Sequence, residues 1–179
     1  MQLHRWICRL ASCLMLLAAA PAWSAVDQAA PTGFIISWQK PVDATPAQVF
    51  EAVGEVQRWW NPAHTWSGDA ANLSLGLTAG ACFCEHWAAG GVEHGRVIFI
   101  AKNKLVRLQS SLGPLQSLAV NGILDFSIEP AGDKSLLKLR YRVSGNADAA
   151  LDKLAPGVDQ VLGEQVGRLA KFVETGSAQ

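Results

Sequence analysis

Between Asn72 and Val143 apolar and polar residues alternate with a period of two, and turn-forming residues break the alternation at short intervals. The breaks fall at Leu77 to Gly80, Ala88 to Gly91, Lys102 to Lys104, Gly113-Pro114 and Pro130 to Lys134. A stretch of this kind has one wet face and one buried face, and it reads as a meander of about six antiparallel strands. The clearest strand sets Leu137, Leu139, Tyr141 and Val143 inward against Lys138, Arg140 and Arg142. Its neighbour carries Val120, Gly122, Leu124, Phe126 and Ile128 on one side.

A sheet with one apolar face needs a cover, and the sequence supplies one. From about Pro156 to Glu174, Val158, Val161, Leu162, Val166, Leu169, Phe172 and Val173 recur at spacings of three and four, the signature of an amphipathic helix. Upstream, Gly33 to Trp38 reads as a first strand ended by Pro41, and Thr45-Pro46-Ala47-Gln48 opens a short helix with a capping box. That helix carries Val49, Phe50 and Val53 and stops near Gly54, and a second helical turn holds Val56, Trp59 and Trp60. The expected fold class is α+β: a curved antiparallel sheet of about six to seven strands, closed by a long C-terminal helix that encloses a cavity against it.

The densest chemistry lies in Cys82-Phe83-Cys84-Glu85-His86-Trp87 and, after the turn, Val92-Glu93-His94-Gly95-Arg96-Val97. A hairpin centred between Ala89 and Gly90 sets Glu85 opposite His94 and His86 opposite Glu93, one pair on each face; a loop of odd length would dissolve both. Phe83, Glu85, Trp87, His94, Ile98 and Ile100 then share the more aromatic face, which is taken as inward. There, a carboxylate beside an imidazole can transfer protons or hold a polar group of a ligand, whereas a cross-strand ion pair contributes only roughly 0.2 to 1 kcal/mol. Cys82 and Cys84 are expected as buried free thiols, because strand positions i and i+2 lie about 6.6 Å apart at Cα and a disulfide would kink the strand. With His86 they form a weak candidate for a soft metal, lacking a second ligand cluster of known spacing; no metal and no cofactor is expected. Trp60 and Trp66, with Phe83, Trp87 and Phe126, are the candidate apolar walls of a ligand pocket.

The order of elements resembles the helix-grip fold of the START-like (SRPBCC) superfamily, which includes polyketide cyclases, lipid-transfer domains and Aha1-type domains. Trp59-Trp60-Asn61-Pro62, Cys82-Phe83-Cys84-Glu85, Gly113-Pro114-Leu115-Gln116 and Val158-Asp159 resemble an exported bacterial group within it. The resemblance runs from about Ile35 to Val173 and favours Glu85 and His94 as the inward pair. It implies an apolar cavity and leaves three functions open: a binding protein for a small hydrophobic molecule, an enzyme of cyclase or dehydratase type using Glu85 and His94, or a protein-interaction module.

The start of the chain bears on where this happens. Arg5 and Arg9 precede an apolar run from Leu10 to Ala20, and small residues at Ala22 and Ser24 suit cleavage. As a helix that run would be about 16 Å long, short of the roughly 30 Å hydrocarbon core, so a cleavable signal over 1–24 is expected rather than a permanent membrane span. A single domain over 25–179 would follow, periplasmic or secreted. Loss of two arginines from a chain with 15 basic and 15 acidic residues leaves it mildly acidic, which gives no reason to expect a nucleic-acid partner. The sequence does not fix the oligomeric state.

Overall fold

The computed structural model describes residues 26–179, so the expected leader over 1–24 lies outside the described residues. The chain forms strands β1 (Val26–Ala30) and β2 (Gly33–Val42), helices α1 (Pro46–Gly54) and α2 (Val56–Trp59), and strand β3 (Leu73–Leu75). It continues through β4 (Cys82–Trp87), β5 (Gly90–Ala101), β6 (Leu105–Ser110), β7 (Val120–Ala131) and β8 (Lys134–Gly145) into helix α3 (Leu151–Thr175). All eight strands lie in one antiparallel sheet, in the order β1-β2-β8-β7-β6-β5-β4-β3. The architecture is α+β, an open curved sheet with a long C-terminal helix packed on it, and the strand count exceeds the six to seven expected. The extra strand is β1, whose Val-Asp-Gln-Ala-Ala lies almost wholly exposed at the sheet edge and so carries no apolar alternation to read.

The alternation of β8 is realised as its sequence requires: Leu137, Leu139, Tyr141 and Val143 are buried while Arg140 is exposed. Pro41 does not end β2, which runs on to Val42. At that point β2 pairs with β8 only, so the missing proline N–H faces the unpaired edge and no ladder bond is lost. Helix α1 opens with the capping box, the Thr45 side chain accepting from the Gln48 N–H while the Gln48 side chain accepts from the Thr45 N–H. Such caps contribute about 1 kcal/mol.

Helix α3 begins five residues before the expected start, with Pro156 inside it. Leu151 and Ala155 are completely buried, and that burial outweighs the cost of the proline. The helix lies close on β2 because Gly163 has no side chain: a Cβ there would come within 2.5 Å of the Trp38 ring. The Trp38 indole N–H donates to Asp159 at 2.8 Å and fixes the rotation of the helix.

A second close approach shapes the segment between β6 and β7. Tyr141 projects from β8 past Gly122, where a Cβ would meet the Ser110 carbonyl oxygen at 2.2 Å and the tyrosine ring at 2.9 Å. The Tyr141 hydroxyl donates to that carbonyl at 3.0 Å and accepts from the Leu112 N–H at 3.2 Å. The segment carrying Leu112, Gly113 and Pro114 is thereby tied to the sheet at the end where the site lies. No helix among the described residues is long and apolar enough to cross a membrane.

Candidate functional site

The β4–β5 hairpin turns at Ala88-Ala89, one residue earlier than the sequence reading placed it, so Glu85 stands opposite Val92 and His86 opposite Gly91. An even shift of register keeps every side chain on its face, and a bulge then does the rest. Cys84 pairs with Glu93 and Phe83 with Gly95, which leaves His94 as the extra residue, re-aimed toward Glu85. His94 Nε2 lies 3.0 Å from the Glu85 carboxylate, with Glu85 completely and His94 almost completely buried. The expected His86 and Glu93 pair does not form; Glu93 instead pairs with Arg96. The bulge also reverses the alternation beyond it: Val97 is buried and Ile98 exposed, the opposite of the expected assignment.

The Glu85 carboxylate is engaged on both oxygens. One accepts from the Ser67 N–H at 2.5 Å, the other from the Trp66 N–H at 3.0 Å as well as from His94. Burial raises the Glu85 pKa, but the bonds from Ser67, Trp66 and His94 together outweigh it and hold the carboxyl below its ordinary range. Burial pushes the His94 imidazole down, and Glu85 only partly restores it. Near neutral pH the pair is therefore an ionised carboxylate and a neutral imidazole. An ionised carboxylate has no proton to give, so Nε2 carries the hydrogen and Nδ1 is left as an acceptor.

Glu85 thus clamps the segment after α2 from the sheet side, and α3 clamps it from the other. Gln165 accepts from the Asn61 N–H at 2.8 Å, Arg168 donates to the Trp59 carbonyl at 2.8 Å, and Glu164 accepts from the Asn61 side chain and faces His64 at 3.1 Å. Between this segment, the Leu112–Pro114 segment and the first half of α3 lies a cavity of about 520 Å³ with His94 among its lining residues. Leu112, Pro114, Leu154, Val158, Val161 and Leu162 make it mainly apolar, and Lys153, exposed, stands at its rim.

Of the expected wall residues, Trp60 and Trp66 line the cavity, Trp66 with 58% of its surface exposed. Phe83 does not: it is buried behind the wall, its ring 5.5 Å from Trp60 and 4.9 Å from the His94 ring. Phe126 packs against Trp59 in the core, and Trp87 lies over Gly90 at the far end of the hairpin. The cavity lies against the C-terminal helix as expected, but its lining residues on α3 were not among the expected walls. Leu154, Val158 and Val161 flank the helix's buried stripe and stay only partly covered, so an apolar sector wider than the sheet can bury was the available signal.

Cys82 and Cys84 form a disulfide, not the expected pair of free thiols, with Cα atoms 5.3 Å apart. That separation is shorter than the about 6.6 Å of a straight strand and lies within bridging range. The sulfurs and a Glu93 oxygen lie within 4.8 Å of one another, but His86 stands outside this group and bridged sulfurs are not thiolates, so the residues present do not fit a metal.

No protein-family model matches the sequence, and no curated protein matches it. Solved structures do match. The Aha1 dimer from Colwellia psychrerythraea is 18% identical with a TM-score of 0.56, over 79% of this chain and 97% of that one. A protein from Arthrobacter aurescens is 14% identical with a TM-score of 0.57, over 86% and 94%. DynU16, from the dynemicin biosynthetic locus, is 19% identical with a TM-score of 0.54, over 80% of this chain and 48% of that one. At these identities the likeness is one of fold, and the fold is the START-like helix grip.

Proposed function

We propose that the protein binds a small apolar or amphipathic molecule in the cavity between α3 and the sheet, and that it does so after export to the periplasm or beyond. The observation that carries this reading is the cavity itself, about 520 Å³ with a mainly apolar lining and a polar group, His94, in its wall. Pockets of this size and character are the usual form of small-molecule sites. The export reading is supported by the leader motif and by the Cys82–Cys84 disulfide, which an oxidising compartment preserves. An interaction module of the Aha1 type would be expected to have a filled interior, and the open cavity weighs against that alternative.

A proton-transfer enzyme is the second reading, favoured by one observation: the imidazole of His94, hydrogen-bonded to Glu85, borders the cavity. In it His94 is the base and Glu85, with both oxygens engaged, orients it. His94→Gln would then abolish turnover while leaving binding intact.

Native mass spectrometry of the protein purified from its export compartment, before and after denaturation and solvent extraction, tests the binding reading. The expected result is a chain lacking the leader, two hydrogens below its reduced mass, carrying an extra mass that extraction removes. A bare chain that takes up nothing from a hydrophobic extract would overturn it.

A further inference from the structure

Three features of the cavity bear on what it selects. His94 is among the residues that line the cavity, its Nε2 is bonded to Glu85, and its Nδ1 has no hydrogen-bond partner among the described residues. Its hydrogen-bonding character is fixed from behind, because Nε2 is committed to a Glu85 carboxylate that also accepts from two backbone N–H groups. Among the described residues that line the cavity, Lys153, exposed at the rim, is the one lysine or arginine and none is an acid; His64 and Thr65 are its other polar side chains.

We propose that the cavity selects apolar molecules bearing a hydroxyl group, an alcohol or a phenol, which enter hydroxyl-first and donate to His94 Nδ1. The inference rests on the binding reading and deepens it. An acceptor in an apolar wall favours a ligand that can donate, because an unanswered acceptor loses its hydrogen bonds to water when the ligand displaces it. A carboxylate is disfavoured at this end: it offers Nδ1 no hydrogen and would lie near the Glu85 charge. An ammonium group can donate, but it would have to leave water for an apolar enclosure, at a cost of several kcal/mol. An anionic group elsewhere on the ligand is accommodated outward, toward Lys153. His94 is thus the specificity-determining contact and Glu85 its positioning residue.

The test uses the ligand-stripped protein from the export compartment and three probes of one shape: 2-naphthol, 2-methoxynaphthalene and naphthalene-2-carboxylate. Calorimetric or fluorescence titration is expected to show naphthol binding about tenfold more tightly than its methyl ether, the scale of one buried hydrogen bond, with the carboxylate weaker than naphthol. In His94→Phe, whose fold is checked by circular dichroism, the preference should shrink to about twofold. Nitrogen-15 NMR of the unaltered protein gives a readout independent of that variant: naphthol, and not the ether, should shift the His94 Nδ1 resonance. Equal affinities for naphthol and ether, with no Nδ1 shift, would overturn the hydroxyl preference and leave the binding reading standing. Failure of all three probes to bind would count against both.

Discussion

Glu85 does two tasks with one carboxylate: it orients His94 and fastens the Trp66-Ser67 backbone to the sheet. Glu85→Gln keeps the size but offers one acceptor oxygen where there were two, and it turns an N–H group toward backbone donors. The expected loss is about 3 kcal/mol of unfolding free energy, measurable in urea, because buried donors are left unanswered. The pair also sets a pH dependence. Both folded pKa values are depressed, so in each case the unfolded chain takes up the proton first and acid favours unfolding. The His94 contribution is complete above its ordinary value of 6.5 and declines as pH falls from there toward the lowered folded value. The Glu85 contribution follows below 4.5. Melting temperatures measured from pH 7.5 down to 5 should fall in the unaltered protein and stay flatter in His94→Gln; parallel curves would remove His94 as the source. That Glu85 and His94 share a face was legible in the sequence, since any even register preserves it. That His94 sits on a bulge was not, because its one signal, Gly95 inside a strand, marks a close backbone approach as readily as a bulge.

Among the elements, β8 was the most legible, since Leu137, Leu139, Tyr141 and Val143 alternate inward along it; only Ser135, buried at its start, gives no such signal. Its Tyr141 also reaches out of the sheet to hold the segment between β6 and β7, a contact between residues far apart in sequence that no local pattern reveals. Tyr141→Phe removes a donor and an acceptor at once and should cost about 1 to 2 kcal/mol, with faster hydrogen exchange at the Leu112 N–H as its local signature. Gly122→Ala should cost more, about 3 kcal/mol or above, since the new Cβ would meet the Ser110 carbonyl oxygen, at the end of β6 and bonded to the Tyr141 hydroxyl. If thermal denaturation finds Gly122→Ala milder than Tyr141→Phe, the close approach is not what fixes this segment. The start of α3 was less legible than its middle. Pro156 looks like a helix opener in sequence, and only the burial of Leu151 and Ala155 against the rest of the fold extends the helix past it.

For the whole molecule, stability and binding draw on different parts of the same helix. Val166, Leu169 and Phe172 belong to the core, Leu162 belongs to it and also borders the cavity, and Leu154, Val158 and Val161 are only partly covered and face the cavity. The apolar surface left uncovered on α3 is what a ligand would remove from water, at about 25 cal/mol for each Å². Val158→Trp separates the two contributions. The larger ring projects into a cavity of about 520 Å³, so it fills space rather than displacing packed atoms, and the unfolding free energy should change by less than about 1 kcal/mol. Binding of 2-naphthol, followed by titration under the same conditions, should weaken at least about tenfold, because the ring occupies the volume the ligand needs. Leu162→Ala should do the reverse in part: about 3 kcal/mol less stable, with the cavity enlarged and the probe still bound wherever the protein remains folded. A Val158→Trp protein that binds the probe as tightly as the unaltered chain would place the site elsewhere on the molecule, for example in the groove of about 490 Å³ lined by Ile35, Ile123 and Arg142 on the far face of the sheet.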